Sequence, residues 1–321
     1  MNRKHILMLA VTLAMASVNA RAQSELGSTK TEKAFSSDYV KAVDAAFPRY
    51  EDAGLQKRLD ALLQKYPTGR DTLRIWQLDQ LERVMSLPRV AKPGQTRINL
   101  PDREYGADRA RGRVFLFRKP ERMKPVSPAQ MNELQPRISA FHDEVLTRIG
   151  IPEEQVFHKR SEHMVEQGTT DPSRGGPQKT QLAARGVRTY ALRAVEGILV
   201  DGSSATLVSQ APGRITSLNV KWPPVVFPPK VKTMAVRSRD QVREAITAKV
   251  RQRAGGAKVD VKMAVVLRRV QAGDQRYYVS AMKVGMRTEG EGEGVIFYES
   301  LTDQPLVERE SESDTPSGGG E

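Results

Sequence analysis

Apolar residues recur at helical spacing through the first part of the chain. Between residues 35 and 86 they repeat at intervals of three and four, in runs interrupted by Pro48, Gly54 and the segment 67–69. This pattern predicts three short helices. Residues 88–113 hold proline, glycine and many charged residues, which predicts a loop, and a short strand is predicted after it, at 114–117.

Two later segments carry the same helix-start signal. Ser127 is followed by Pro128 and Gln130, and Ser238 precedes Gln241 at the same spacing. One face of each predicted helix is apolar: Met131, Leu134, Ile138, Phe141, Val145 and Ile149 in the first, and Val242, Ala245, Ile246 and Val250 in the second. Glycines end both, so helices are predicted at 128–149 and 238–254.

Strands are predicted after each of these helices. Their expected bounds are 187–200, 204–210 and 215–222 in the first set, with turns at 201–202 and 211–213, and 259–270, 276–288 and 295–301 in the second. The sequence therefore predicts an α+β protein in which a helical N-terminal region precedes two helix-plus-antiparallel-sheet units in tandem. The predicted boundaries are 34–113 for the helical region and loop, 114–226 for the first unit and 227–302 for the second.

The two ends of the chain have distinctive compositions. Residues 1–22 combine a basic start, a short apolar run and a small-x-small pattern, which predicts a signal peptide cleaved after Ala20 or Ala22 and an exported protein, periplasmic or secreted. The apolar run is shorter than the roughly 20 residues that span a bilayer, so no transmembrane segment is expected after cleavage; a retained anchor or a buried helix is the alternative. Residues 23–33 are predicted to be flexible, and residues 303–321, with six acids and one base, to form a disordered acidic tail.

The charge balance adds a candidate class of partner. Lys and Arg number 51 against 38 acids, a net charge of +13, and the tail leaves the remaining body still more basic. A basic body attracts anionic partners such as an envelope polymer or nucleic acid, although a solvated arginine-rich surface is the simpler interpretation. The chain has no cysteine, so packing without disulfides or thiolate metal sites must hold it together.

No arrangement of residues predicts catalysis. His158 and His163 have a poor spacing for zinc, and we expect both, like His142, to be exposed polar residues. The segment 201–204 contains an acid and two serines but is better interpreted as a turn, and the alternating glycines and glutamates at 289–294 as an acidic turn. No catalytic residue, cofactor or metal is predicted. The pattern favours a non-enzymatic binding protein, with an unrecognised hydrolase as the alternative.

The stretch 190–222, YALRAVEGILVDGSSATLVSQAPGRITSLNVKW, resembles the PepSY and thermolysin-propeptide type of module. The residues that carry the resemblance are Gly197, Val200, Gly202, Ser203, Gly213 and Trp222. It implies a cystatin-like layer of one helix across an antiparallel sheet, in an exported propeptide, inhibitor or accessory protein. Because the chain contains no His-Glu-x-x-His motif, the resemblance implies an inhibitor or chaperone that acts in trans on an exported peptidase, or a module that binds something else.

A proline-rich segment with two aromatic residues is the candidate partner-binding site. It contains Trp222, Pro223, Pro224 and Phe227, and its prolines predict a stiff connection between the two units. The alternative for Trp222 is that it closes a hydrophobic core.

Overall fold

The structure is a computed structural model that describes residues 35–66, 73–119, 126–169, 180–227, 234–272, 275–290, 294–304 and 306. The predicted signal peptide, the segment 23–33, the prolines at 228–229 and the tail from residue 307 lie outside the described residues. The chain divides into two compact units. The central unit comprises residues 68–225, and the terminal unit combines residues 1–67 with 226–321.

Five α-helices and ten β-strands in the described residues make a mixed α+β protein, which confirms the predicted fold class at that level. The helices are α1 (Tyr39–Ala46), α2 (Asp52–Lys65), α3 (Leu78–Val84), α4 (Pro128–Ile149) and α5 (Arg239–Ala254), with a 3₁₀ turn at Glu153–Gln155. The strands are β1 (Arg97–Leu100), β2 (Arg103–Asp108), β3 (Arg113–Arg118), β4 (Val156–Thr169), β5 (Thr180–Val195), β6 (Ile198–Ala211), β7 (Arg214–Lys221), β8 (Val259–Ala272), β9 (Gln275–Thr288) and β10 (Val295–Ser300).

The helix-start prediction is confirmed for both long helices. The backbone N–H of Gln130 donates to Ser127 Oγ at 3.3 Å, and the N–H of Ser127 donates to Gln130 Oε1 at 3.2 Å. Ser238 and Gln241 form the same reciprocal pair at the start of α5. These bonds satisfy N–H groups that have no partner inside the helix.

The central unit is built on a seven-stranded antiparallel sheet. Its strand order is β1-β2-β3-β7-β6-β5-β4. Helix α4 packs on β4, β5 and β6, and α3 packs on β2. Their apolar residues and the inward strand residues form one core, which includes Leu81, Val114, Leu116, Val145, Ile149, Leu207, Leu218 and Val220. The sheet therefore has an inner face under the helices and an outer face.

The predicted loop over residues 88–113 was wrong in part, because strands β1 and β2 lie within it. In β2, Tyr105 and Ala107 are buried while Glu104 and Asp108 face outwards. The charged residues at these outward positions interrupt the apolar pattern, and the sequence therefore did not predict the short strands. Strand β4 was also not predicted.

The hairpin between β5 and β6 turns five residues earlier than predicted. Its two turn residues are Glu196 and Gly197, with φ angles of 49° and 72°. Two successive positive φ angles are characteristic of the tight type I′ hairpin turn. The predicted turn residue Gly202 instead lies inside β6, where the pairing with β5 shifts register.

A buried carboxylate anchors the connection between α3 and β1. Glu82 Oε1 accepts hydrogen bonds from the hydroxyl of Tyr105 at 2.6 Å and from the N–H groups of Val90 and Ala91 at 3.1 and 2.9 Å. Burial works to raise the pKa of Glu82, but the hydrogen bonds outweigh it and the pKa is lowered. The charged carboxylate therefore holds the loop against the sheet.

The terminal unit joins segments from distant parts of the sequence. Strands β8, β9 and β10 pair antiparallel, α5 packs on β10, and α1 packs on α5 and β8. Ser36 forms an antiparallel bridge with Val259, and the Tyr39 hydroxyl donates to the carbonyl of Ala257 at 3.0 Å. The side chain of Gln56 in α2 binds the backbone on both sides of residue 235, at distances of 2.9 Å.

Candidate binding surfaces

The predicted partner segment is largely buried. Trp222 is 1% exposed, Phe227 4%, and Pro223 is buried, while Pro224 is half-buried. The alternative that Trp222 closes a core is confirmed. A partner-binding role for this segment stays a prediction.

Trp222 is held by a cluster of polar contacts inside the central unit. Its indole N–H donates to Gln155 Oε1 at 3.3 Å, and that oxygen also accepts from Arg193 Nε at 2.9 Å. The guanidinium carbon of Arg193 lies 5.0 Å from the indole ring centre, and Arg193 Nη1 donates to the carbonyl of Pro223. Gly112 allows this approach, since a Cβ there would lie 2.3 Å from Pro223.

Of the residues that carry the PepSY resemblance, Gly197 and Gly213 lie in hairpin turns, and Gly202 and Ser203 lie within β6. Gly197, Gly202 and Gly213 have φ angles of 72°, 71° and 86°, which favour glycine, and Ser203 is 2% exposed. Membership of the family stays a prediction.

The two candidate metal-binding histidines lie on opposite faces of β4. His158 pairs opposite Leu192, and His163 pairs opposite Val187. The two histidines are five residues apart in a regularly paired stretch of the strand, so their side chains point to opposite sides of the sheet. In the described part of the chain, no group of three His, Asp or Glu side chains is arranged to hold a metal ion.

The prediction that His142 is exposed was wrong. Its side chain is 0% exposed and lies on the side of α4 that faces the sheet. Nδ1 is 2.6 Å from Thr189 Oγ1, and Nε2 is 2.8 Å from Ser209 Oγ. Thr189 Oγ1 also lies 2.8 Å from Ser161 Oγ. Burial lowers the pKa of His142 to about 4, against an opposing effect of the Asp143 carboxylate. The ring is therefore neutral at physiological pH.

The sequence contains a signal for this buried cluster. His142 follows Ile138 by four residues and precedes Val145 by three, so it belongs to the apolar stripe of α4. Although a serine hydroxyl beside an imidazole is the geometry of a nucleophile and its base, Ser209 and His142 are both 0% exposed. In this conformation the cluster joins α4 to the sheet and is closed to substrates.

The outer face of the seven-stranded sheet carries an aromatic patch, which we call the aromatic face: Arg113, Phe115 and Phe117 of β3 with Ser217 and Asn219 of β7. The register pairs Phe115 with Asn219 and Phe117 with Ser217. The two phenylalanine rings are 5.7 Å apart, the guanidinium carbon of Arg113 is 5.4 Å from the Phe115 ring, and Arg113 Nε donates to Asn219 Oδ1 at 3.3 Å. Phe117 is 40% exposed.

Gly106 fixes the position of one ring of the aromatic face. A Cβ at this position would lie 2.5 Å from the Phe115 ring, so the ring lies directly over the β2 backbone. The glycine therefore lets the aromatic face lie flat across two strands.

A second outward surface lies on the three strands of the terminal unit. We call it the cationic face: Lys262 and Arg268 of β8 and Lys283 and Arg287 of β9, with Tyr298 of β10. The register places Lys262 opposite Gly285, and Lys283 opposite both Ala264 and Tyr298, so these side chains share one face. Arg287 lies opposite Asp260, the one acid that the described strands contribute to this face.

The cationic face combines charge with exposed apolar area. Lys262 is exposed, the guanidinium carbon of Arg268 lies 3.5 Å from the Tyr298 ring centre, and the neighbouring Ile296 is 50% exposed. In β8, Lys262 lies between the buried Val261 and Met263 and therefore faces outwards. The sequence analysis missed the cluster because its members come from three strands and meet only in the folded register.

A shallow cleft of about 410 Å³ lies between α1 and α5 in the terminal unit. Arg243 lines it and lies 3.5 Å from a carboxylate oxygen of Asp44 and 3.1 Å from one of Asp240. The charge of Arg243 is thus paired with two carboxylates.

The sequence matches no protein-family model, and no characterised protein is significantly similar to it. Among the helices that the structure describes, none combines the length and the apolar character that crossing a bilayer requires.

Replacing Trp222 tests its role in the core of the central unit. We expect Trp222→Ala to lower the free energy of unfolding by about 3–5 kcal/mol, because it leaves a cavity and removes the ring that Arg193 stacks on. Phe117→Ala, on the outer face, should cost at most about 1 kcal/mol. Urea unfolding followed by circular dichroism measures both. Equal costs for the two variants would contradict the assignment.

The His142 cluster predicts an acid-sensitive fold. The unfolded histidine, with a pKa of 6.5, binds a proton that the folded one, with a pKa of about 4, does not. The contribution of the neutral His142 to the free energy of unfolding is therefore fully present above about pH 6.5. It is lost as the pH decreases towards 4, and the loss is roughly 2 kcal/mol at pH 5. His142→Gln should flatten this part of the pH profile of the unfolding free energy. An unchanged slope in the variant would show that other groups cause the acid sensitivity.

Proposed function

We propose that this chain is an exported, non-enzymatic binding protein that presents the aromatic face to a protein partner. The observation that carries the proposal is the aromatic face itself. Its rings and arginine lie on the side of the sheet opposite α3 and α4, so neither helix covers them. Aromatic and arginine side chains are enriched in the centres of protein interfaces and contribute most of their binding energy. Strand pairing behind the patch makes it rigid before a partner arrives, which lowers the entropy cost of binding.

The specific form of the proposal is a PepSY-like inhibitor or chaperone of an exported peptidase. Helix α4 against β4, β5 and β6, and α5 against β10, support an interpretation as two helix-plus-sheet units in tandem. The N-terminal composition supports export. A propeptide-like module acts by offering a sheet face or edge to the enzyme and stabilising one of its states.

The partner proposal is tested with the protein lacking residues 1–22 and the exported metallopeptidases of its source. We expect a change in the activity or refolding yield of one of them, and a loss of affinity of roughly tenfold or more in the double variant R113E/F117S. The matched control is Phe157→Ser, because Phe157 is also an exposed phenylalanine of the same sheet, at 50% exposure. If no peptidase responds to the folded protein, the peptidase form of the proposal is wrong.

A second candidate function is binding of an anionic polymer, and the cationic face favours it. Four cationic side chains share this surface with Tyr298 and with the exposed Ile296, a combination suited to a chain of phosphates with apolar or aromatic substituents. This candidate does not require the aromatic face, so the two are tested separately.

Polymer binding is measured with inorganic polyphosphate and a single-stranded oligonucleotide at several salt concentrations. We expect affinity to fall steeply with salt, and the double reversal K262E/R287E to lower it by roughly tenfold or more and to make the salt dependence shallower. The control K57E/R58E makes the same charge change on α2, where both residues are exposed. Equal losses in the two double variants would indicate attraction to net charge and would contradict a specific surface.

A further inference from the structure

The acidic C-terminal segment has a spacing that matches the cationic face. Glu308, Glu310, Glu312 and Asp314 occupy every second position, separated by Arg309, Ser311 and Ser313. In an extended chain, alternate side chains point to the same side. All four carboxylates therefore share one side of an extended segment, and the arginine lies on the other.

The segment begins close to the cationic face along the chain. Strand β10 ends at Ser300, which pairs opposite Ala281, and Ser300 Oγ donates to the carbonyl of Gln304 at 2.7 Å, within a bend of the chain. Lys283 lies two residues along β9 from Ala281. From Gln304 an extended chain reaches Glu308 within about 14 Å and Asp314 within about 36 Å.

The acidic array is long enough to cover the cationic one. Along β9, Lys283 and Arg287 are four residues apart, about 13 Å at the usual rise of a strand. The acids from Glu308 to Asp314 span six residues, about 20 Å when extended. Lys262, on the neighbouring strand β8, widens the positive surface beside this line.

We propose that residues 308–314 dock in an extended form on the cationic face of the same chain, with the four carboxylates towards Lys262, Lys283 and Arg287. A tether of a few residues keeps the acids at a high effective concentration near the face, which free anions in solution do not have. The contacts are between solvated charges, so docking is reversible and weakens with salt. The segment then acts as a built-in competitor for anionic ligands at this surface.

The absence of cysteine in the natural sequence makes a direct test straightforward. A single Ser311→Cys substitution takes a spin label on the side of the segment away from the acids. In isotope-labelled protein at low salt, we expect selective broadening of the backbone amide signals of Lys262, Gly285 and Ile296. The broadening should disappear at about 0.5 M salt, where the Debye length is only a few ångströms and the charges are screened.

Charge variants identify the surface that holds the segment. We expect K262E/R287E to abolish the broadening and K57E/R58E to leave it unchanged. Replacing the four acids by their amides, E308Q/E310Q/E312Q/D314N, should abolish it and raise the affinity for polyphosphate several-fold. Folding of each variant is checked from the dispersion of the remaining amide signals.

Three outcomes would overturn the proposal. Uniform or absent broadening at low salt means that the segment does not dock, and broadening that survives K262E/R287E means that it docks elsewhere. Equal broadening in a mixture, where one copy carries only the isotope and the other only the spin label, means that the segment binds a second copy. The spin-label measurement contains no added ligand, so its result is independent of whether the protein binds an external polymer.

Discussion

In both units a helix covers one face of an antiparallel sheet, and the alternation of side chains along each strand then decides which residues are buried and which face outwards. A shift of one residue in any pairing would exchange these two sets. In β3, for example, it would bring Arg113 and Phe115 under the helices and expose Val114 and Leu116. Both candidate surfaces therefore depend on the same register that builds the cores, and a surface made this way is rigid before it meets a ligand.

Polar groups on the inner side of the central sheet limit how its parts pack. His142 has hydroxyl partners on two strands, and Glu82 joins a connecting loop to β2 by accepting from two loop N–H groups and the Tyr105 hydroxyl. Buried polar groups stabilise a fold only when every one is satisfied, so these contacts specify one arrangement of helix and sheet more sharply than apolar packing does. The cluster of Trp222, Arg193 and Gln155 has the same effect at the end of β7.

Local signals predicted the helices well, because caps and apolar periodicity act over a few residues. The reciprocal bonds of Ser127 and Ser238 are the clearest cases. Strands β1 and β2 were missed because their outward positions are charged, and the β5–β6 turn was misplaced because Glu196 adopts a positive φ that glycine usually supplies. The cationic face lay beyond local reasoning, since Lys262 and Lys283 become neighbours only through the pairing register of the β8–β9 hairpin. His142 was missed although its position in the stripe of α4 indicated burial.

The division of the chain has a consequence for the order of events during synthesis. Residues 68–225 are contiguous, so the central unit has all of its strands once they have emerged. The terminal unit needs the bridge between Ser36 and Val259 and the bond from Tyr39 to Ala257, which close a loop of more than 200 residues. Closing so long a loop is entropically costly and slow. Helix α1 must therefore wait, with its apolar side uncovered, until the last strands leave the ribosome, and this interval is when the chain is most open to a chaperone or a protease.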